Sequence, residues 1–424
     1  MNAKSGGDGI ARAKPSAPEG VLPSQAIRRL VESNHILADD PIPDSSIQPA
    51  SLDLRLGDKA YRLRYSFLPG SRAVSERLRE DPMGEIDLTR PAVLEKNRPY
   101  LIPLQEKLRL PESVRGRANP RSSTGRVDVF TRILTEYGQH FDEVPAGYAG
   151  DLFLEVVPLS FTIMVEKGLT LNQLRLMQGT PRLGDEELKV THRSTPLIYR
   201  GPTVDPGERA WVADGLFLTV DLSGLGRRFV GFRAKKNAGL LELGRRAFYR
   251  PEDFWDEVHA ESGRLILEPN EFYLLVSRER VRVPANLAAE MAAYDPTSGE
   301  LRTHYAGFFD PGFGVVGDTE KPGTPAVLEV RAHDVPFALE HGQRLCKLTF
   351  ERMAEEPDHL YGAEIGSRYQ RQYLALGRQF KATRSERLDE GAELSLFPEP
   401  MPLESDTAEI EATRNPPLEL ELRT

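Results

Sequence analysis

The sequence predicts a mainly β protein made of two tandem β-barrel or jelly-roll units with a few short helices. Apolar and polar residues alternate over short segments, and one series of strands and turns occurs twice. The chain also contains 35 glycines and 33 prolines, which interrupt it often. Alternation is typical of half-buried strands, and frequent glycine and proline disfavour long helices.

Local patterns predict the elements of the first half. Residues 22–34 space Ile27, Leu30 and Val31 along one face of a short helix. The segments expected to form strands, each bounded by turn residues, are 51–56, 100–104, 108–110, 152–157 and 162–165. A series of short strands of this kind is typical of an antiparallel barrel or sandwich.

The second half repeats the first. Leu-Glu-Val occurs at 154–156 and again at 328–330. The separation between Glu155 and Gly168 is the same as that between Glu329 and Gly342. Ordered matches at a nearly constant offset predict two copies of one structural unit.

Six regions follow from these patterns and from composition. The two ends lack the apolar content that a folded core needs. The predicted regions are a disordered leader (1–20), a first, catalytic unit (21–180), a linker (181–204), a second, diverged unit (205–355) with a helical insertion (234–261), a C-terminal lid segment (356–383) and a disordered acidic tail (384–424).

Composition excludes several classes of function. A formal net charge of −9 disfavours a nucleic-acid groove, and no apolar run is long enough to span a membrane. The one cysteine, Cys346, cannot form an intrachain disulfide, which predicts a reducing, cytoplasmic compartment. One cysteine also cannot supply the Pro-Cys-x-x-Cys ligands of the zinc deaminases, so no catalytic zinc of that kind is expected.

The run at 119–126, Asn-Pro-Arg-Ser-Ser-Thr-Gly-Arg, contains the densest set of candidate binding residues. Small hydroxyl residues and glycine allow a phosphate to approach the backbone, and arginine donates forked hydrogen bonds to phosphate oxygens. Its candidate residues are Arg121, Ser122, Ser123 and Arg126. On spacing alone, a solvated polar turn is the simpler interpretation of the run.

Glu155 is a candidate acid–base residue because it lies within an apolar strand, Leu-Phe-Leu-Glu-Val-Val. Burial raises the pKa of a carboxyl group, which suits general acid–base catalysis. Two other interpretations remain open: an edge-strand glutamate that faces solvent, or a glutamate held structurally by an arginine.

A third candidate lies at 366–372, Gly-Ser-Arg-Tyr-Gln-Arg-Gln. Tyr369 could stack on a nucleotide base while Arg368 and Gln372 bind phosphate. A polar C-terminal helix is the alternative interpretation.

In combination, these motifs resemble the dCTP deaminase branch of the dUTPase-like superfamily. The resemblance rests on SLDLRLG (51–57), LRLPESVRG (108–116), PRSSTGR (120–126), VPAGYAGDLFLEV (144–156) and SRYQRQ (367–372). It implies a dUTPase-like fold, a homo-oligomer with the family's trimeric form, sites between subunits and no zinc. The implied reaction is the hydrolysis of dCTP to dUTP and ammonia.

Carried over to this chain, the resemblance implies that Glu155 is the general base and then the acid, Ser122 positions water, and Arg126 steadies developing charge. Arg121 and Ser123 would bind substrate, with Arg368, Tyr369 and Gln372 closing over it and Mg²⁺ carried by the triphosphate. In the second unit, Asp295–Glu300 replaces the arginine motif. Glu329 is therefore expected to be a relic or a structural partner.

Three other functions remain open. A bifunctional enzyme could continue to dUMP and diphosphate, a plain dUTPase could act on dUTP alone, and a regulator could bind nucleotide without turnover.

Overall fold

The computed structural model describes most of the chain as two β units. The described residues are 19–80, 83–200, 210–224, 229–293, 301–303, 307–315, 323–332, 334–362, 369 and 373–383. The predicted acidic tail, 384–424, and all but the last two residues of the predicted leader, 1–20, lie outside these ranges.

The first unit contains three of the four described α-helices, and the linker contains the fourth. They are α1 (Ser24–Glu32), α2 (Val74–Glu80), α3 (Ser122–Gly125) and α4 (Asp185–Ser194), with single 3₁₀ turns at Asp44–Ser46 and, in the second unit, Pro251–Asp253. The strands up to residue 180 are β1 (Gly20–Val21), β2 (Ile36–Leu37), β3 (Ile47–Gln48), β4 (Ser51–Arg55), β5 (Lys59–Arg62), β6 (Glu85–Asp87), β7 (Ala92–Leu94), β8 (Tyr100–Arg109), β9 (Val114–Pro120), β10 (Val129–Thr135), β11 (Glu143–Val144), β12 (Ala149–Pro158), β13 (Ile163–Val165) and β14 (Thr170–Gln178).

The second unit is built almost entirely from strands. They are β15 (Ile198–Tyr199), β16 (Leu216–Thr219), β17 (Gly231–Ala234), β18 (Leu241–Glu242), β19 (Trp255–Val258), β20 (Arg264–Leu267), β21 (Phe272–Val281), β22 (Leu287–Ala293), β23 (Leu301–Thr303), β24 (Phe308–Phe309), β25 (Thr324–Ala332), β26 (Phe337–Glu340) and β27 (Arg344–Arg352). The predicted mainly β class with few short helices is confirmed.

The two units share one sheet topology. The order β10-β12-β8-β5-β6 in the first unit corresponds to β23-β25-β21-β17-β19 in the second. Likewise, β11-β9-β14-β4 corresponds to β24-β22-β27-β16. The same neighbours in the same order support the predicted duplication.

Glu155 and Glu329 occupy equivalent places in this topology. Glu155 on β12 pairs with Leu101 on β8, and Glu329 on β25 pairs with Leu274 on β21. On β12 the intervening residues, such as Leu154, point into the core. Because side chains alternate along a strand, each glutamate lies on the outer face of its sheet.

Two details of the predicted elements are wrong, and the linker, for which no element was predicted, contains a helix. The predicted strands 100–104 and 108–110 form one strand, β8, because Glu106 between them points inward and pairs with Arg55 at 2.6 Å. The linker 181–204 contains helix α4, which buries Leu188 and begins with three acidic residues that favour a helix N-terminus.

The predicted helical insertion, 234–261, forms strands β18 and β19 with a single 3₁₀ turn between them and no α-helix. Its aromatic residues do not line one face of a helix. Phe254 and Trp255 instead pack on Phe161 of the first unit, with ring centroids 5.4 and 5.5 Å apart, and join its core. Contacts with a distant segment therefore override the local pattern.

Within the described ranges, none of the helices has the length and apolar character needed to cross a bilayer.

Candidate active site

The Arg-Ser-Ser motif forms a single helical turn at the end of a strand. Strand β9 ends at Pro120, Arg121 has an extended backbone, and Ser122 begins the short helix α3. Ser123, Thr124 and Gly125 are buried, whereas Ser122 is partly exposed. The turn therefore points Ser122, rather than its neighbour Ser123, toward open space.

A cavity of about 70 Å³ lies between this motif and the second unit. A volume of this size can hold several water molecules. Its lining residues are Pro120, Arg121, Ser122, Gly125 and Arg126 from the first unit, Met291, Gly307, Phe308, Phe309, Asp310, Phe313, Ala326, Val327 and Glu329 from the second, and Tyr361 and Tyr369 from the segment that follows it. The candidate site is therefore composite, although the sequence predicted that it belongs mainly to the first unit.

Glu329 lies directly against the motif. A Cβ atom placed on Gly125 would stand only 2.5 Å from one carboxylate oxygen of Glu329 and 2.7 Å from the other. Burial raises the pKa of Glu329 to about 8, with Asp128 raising it further and Arg126 opposing the shift. A carboxyl group that titrates near neutral pH beside water-sized space can both accept and donate a proton.

Arg126 closes one side of the cavity. Its guanidinium lies 3.8 Å from the centre of the Tyr369 ring and donates a hydrogen bond of 2.6 Å to the carbonyl of Ala375. Cation–π contact and burial hold the charge in a fixed place near Glu329. The structure thus brings together Ser122, Arg126 and Tyr369, as the sequence predicted.

Arg121 lies at another part of the lining and is held by two groups of the first unit. It pairs with Asp53 at 2.8 Å and donates to the hydroxyl of Thr170. Burial raises the pKa of Asp53 to about 6, against the opposing effect of Arg121. Arg121 is therefore fixed with part of its side chain still accessible.

Glu155 does not line this cavity, so within one chain it does not meet Ser122 and Arg126; a meeting between subunits, as the resemblance implies, stays a prediction. Its Oε1 atom accepts hydrogen bonds from Arg132, at 2.6 Å from Nη2 and 3.1 Å from Nε. Glu155 is 1% exposed. Of the interpretations that the sequence left open, the arrangement matches a glutamate held by an arginine.

Glu155 and Glu329 have different surroundings because different segments cover the outer faces of their two sheets. Residues 63–80, here called the α2 segment, pack Leu63, Val74 and Phe67 against the β12 face around Phe153. Ser66 in this segment also accepts a hydrogen bond from Arg132 at 2.8 Å. The first unit thus covers its own glutamate, whereas the second unit presents Glu329 to the motif of the first.

Several predicted residues remain outside the site or outside the description. Ser123 is buried and does not line the cavity. Arg368, Gln372 and the 295–300 segment lie outside the described residues. Among described residues, no group of three or more His, Cys, Asp or Glu side chains is placed to hold a metal ion.

Sequence reasoning missed Glu329, Asp310 and Tyr361 as lining residues. The available signal was the repeated Leu-Glu-Val, which made Glu329 as strong a candidate as Glu155, together with the Asp-Pro-Gly-Phe turn at 310–313. The choice between the two glutamates required the packing of one unit against the other.

Gly125→Ala is expected to lower activity by about 100-fold without unfolding the chain. The backbone of Gly125 is helical and accepts alanine, but the new methyl group would displace the Glu329 carboxylate. Gly239→Ala is the matched control, because a Cβ there meets nothing within 4 Å. Steady-state kinetics and circular dichroism of both variants check the prediction, and unchanged turnover in Gly125→Ala would contradict it.

The fold and the cavity define a class: a duplicated β protein in which a carboxyl, a hydroxyl and two guanidinium groups meet between like units. The chain belongs to the 2'-deoxycytidine 5'-triphosphate deaminase family. The model of that family's N-terminal domain matches residues 18–180, and the model of its C-terminal domain matches residues 184–380.

Named relatives agree with this assignment. A crystal structure of 2'-deoxycytidine 5'-triphosphate deaminase from Agrobacterium tumefaciens is 44% identical, with a TM-score of 0.77, and the match covers 82% of this chain and all of that one. A dCTP deaminase of Natronomonas pharaonis is 31% identical over 36% of this chain and 74% of its own length. A dUMP-forming dCTP deaminase of Halobacterium salinarum is 32% identical over 35% of this chain and 72% of its own length.

Proposed function

We propose that this chain hydrolyses dCTP to dUTP and ammonia, with Glu329 as the proton-transferring residue. The observation that carries the proposal is the position of the Glu329 carboxylate against Gly125, in a cavity that also contains Ser122 and Arg126. Family membership supplies the substrate, and the cavity supplies groups suited to moving water and protons.

The proposed reaction begins with water held between Glu329 and Ser122. Glu329 accepts a proton as the water oxygen bonds to C4 of cytosine, and the ring nitrogen N3 receives that proton. The resulting tetrahedral carbon then loses its amino group. The C4–N4 bond breaks, the remaining hydroxyl proton passes through Glu329 to the leaving nitrogen, and C4 becomes a carbonyl as ammonia departs.

The other residues hold charge and substrate in this proposal. Arg126 is fixed by Tyr369 and Ala375 and stabilises negative charge that develops at the reacting ring. Arg121 binds phosphate, because its guanidinium lines the cavity and is already oriented by Asp53. Ser123, Arg368 and Gln372 keep the substrate-binding roles that the resemblance implies.

We propose further that Mg²⁺ arrives on the triphosphate and that no zinc takes part in the reaction. The described lining offers Asp310 and Glu329 as carboxylates, and Asp310 already contacts Arg175 at 3.4 Å. Phosphate oxygens are therefore the better ligands for Mg²⁺ here. Full turnover with Mg²⁺ in the presence of a zinc-selective chelator supports this part, and loss of activity restored by zinc contradicts it.

Product analysis tests the function as a whole. Purified protein is incubated with Mg²⁺ and, separately, dCTP, dCMP, CTP and dUTP, and ammonia, dUTP, dUMP and diphosphate are measured. Ammonia and dUTP in equal amounts support the proposal. Stoichiometric dUMP and diphosphate from dCTP would favour the bifunctional alternative, diphosphate from dUTP alone a dUTPase, and binding without product a regulator.

A homo-oligomer, with a trimer as the form implied by the resemblance, remains a prediction. The described lining of the cavity comes from one chain. Light scattering measures the assembly directly, and a monomeric mass at assay concentration contradicts the prediction.

A further inference from the structure

Arg331 lies beside Glu329 and pairs with a carboxylate of the first unit. The two residues are two positions apart on strand β25, so both side chains leave the same face of the sheet. From Nη2, Arg331 donates to a carboxylate oxygen of Asp128, and from Nη1 it donates to the carbonyl of Asn270. The Arg331 side chain is 11% exposed and that of Asp128 is 0% exposed. The pair is therefore buried where the two units meet.

Asp128 ends the turn that contains the Arg-Ser-Ser motif. Its backbone N–H donates to the carbonyl of Gly125 at 2.9 Å. Its φ of 56° is a left-handed conformation, which aspartate and asparagine adopt more readily than most residues. Its carbonyl accepts a hydrogen bond of 2.9 Å from Leu159, and its carboxylate accepts one from the hydroxyl of Ser160. Asp128 is therefore fixed, and it is bonded directly to the glycine against which Glu329 lies.

Strand β25 and the motif turn thus contact each other at two points. Glu329 lies against Gly125, and Arg331 pairs with Asp128. One contact alone would leave the strand free to tilt against the turn, whereas two contacts fix both position and angle. A buried ion pair contributes little net stability, because the desolvation of two charges offsets their attraction. Stability alone is therefore a weak reason for this pair.

We propose that Arg331 is a positioning residue that holds the Glu329 carboxylate at the Arg-Ser-Ser motif through its pair with Asp128. This inference rests on the proposed function and adds two residues to it, neither of which lines the cavity. Displacement of a reacting group by about 1 Å can lower a rate by about 100-fold. Arg331 therefore acts on turnover without touching the substrate.

Asp128 also acts on the protonation of Glu329. Burial raises the pKa of Glu329, Arg126 opposes the rise, and the negative charge of Asp128 adds to it. Asp128→Asn keeps the size of the side chain and an acceptor oxygen but removes the charge, so it should lower this pKa. The charged and titratable groups that surround Glu329 are Arg126 and Asp128 of the first unit, Arg331 on its own strand, and Arg121, Asp310, Tyr361 and Tyr369 in the cavity lining.

The first test compares Arg331→Met with Arg200→Met as the matched control. Arg200 pairs at 2.8 Å with Glu279, whose side chain is also 0% exposed, and neither residue lines the cavity. Both variants should lower the Tm. Only Arg331→Met should lower kcat, by about 10- to 100-fold, with KM for dCTP nearly unchanged. Arg331→Lys keeps a cationic donor for Asp128 and should recover much of the lost turnover.

The second test measures the protonation of Glu329 in Asp128→Asn. The rise of kcat/KM with pH should move to lower pH than in the wild type. Carbon-13 NMR of protein labelled at glutamate carboxyl groups should show the same shift in the titration of Glu329, whose signal is identified by its loss in Glu329→Gln. The NMR readout needs no turnover. A shift there without ammonia from dCTP in the wild type contradicts the proposed function and not the link between Asp128 and Glu329.

Two outcomes overturn the inference. Equal kcat values for Arg331→Met and Arg200→Met show that Arg331 only stabilises the chain. An unchanged titration of Glu329 in Asp128→Asn shows that the two carboxyl groups are not held together. If Arg331→Met does not fold, Asp128→Asn decides the question alone, because its side chain has nearly the same shape.

Discussion

Glu329→Gln is expected to lower the turnover of dCTP by roughly 10²- to 10⁴-fold, the range that a general acid–base group contributes. Glutamine keeps the size of the side chain and its contact with Gly125 but cannot accept the proton of water. In the wild type, kcat/KM should rise with pH up to about 8, because the deprotonated carboxylate is the base and its pKa lies near 8. Ammonia release across the pH range measures both effects.

The same substitution should stabilise the chain at alkaline pH, which separates lost chemistry from lost folding. The pKa of Glu329 is raised from its usual 4.5 to about 8 in the folded state. Between these values the folded chain binds more protons than the unfolded chain, so this group makes stability fall as pH rises. Glu329→Gln does not undergo this pH-dependent loss of stability. Its Tm should therefore exceed the Tm of the wild type above pH 8, and the two Tm values should converge near pH 4. A Tm that is lower at every pH would contradict this account.

Glu155→Gln provides the direct comparison, since the same substitution is made at the equivalent strand position of the other unit. We expect turnover within a few-fold of the wild type, together with a lower Tm because the partly buried ion pair with Arg132 is weakened. Loss of turnover comparable to that of Glu329→Gln would restore the assignment made from the sequence. Retained turnover in Glu329→Gln would contradict the proposed mechanism.

The sequence predicted the fold well because its signals were local. Alternation identified strands such as β4 and β12, and the repeated Leu-Glu-Val identified two units of the same topology. It failed where distant contacts decided the structure. Polar residues within β8 suggested a break between two strands. The strand is continuous, because the inward-pointing Glu106 pairs with Arg55 on another strand. The aromatic residues at 248–255 suggested a helix. They pack instead on Phe161 of the other unit, a contact that the local pattern does not contain.

The sequence predicted the Arg-Ser-Ser motif of the candidate site but not the carboxylate that lies against it. Arg121, Ser122 and Arg126 lie within six consecutive residues, so a single turn of backbone suffices to place them together. The two glutamates have the same sequence context, and each lies on the outer face of a sheet. What distinguishes them is the covering of that face: the α2 segment over Glu155, and the Arg-Ser-Ser motif against Glu329. No local pattern contains that information.

Arg175→Met is expected to lower the free energy of unfolding by about 3 to 5 kcal/mol, as loss of one partner from a buried ion pair does. Arg175 lies on β14 of the first unit with a side chain that is 0% exposed, and it reaches into the second unit. There it donates to the carbonyl of Ala289 at 2.9 Å and contacts Glu351 at 3.3 Å and Asp310 at 3.4 Å. Methionine fills similar space but leaves two buried carboxylates without this cation.

Arg28→Met is the matched control, because Arg28 also pairs with a carboxylate outside the first unit, Asp358 at 2.9 Å, but both side chains are partly exposed. An exposed pair contributes about 0 to 1 kcal/mol, so its loss should hardly move the Tm.

Burial already raises the pKa of Asp310, while Arg175 opposes that rise. Removing Arg175 raises this pKa further, so the destabilisation should be largest at high pH and shrink as acid protonates Asp310. Equal Tm values for the two variants across pH would show that the interface between the units does not depend on this buried arginine.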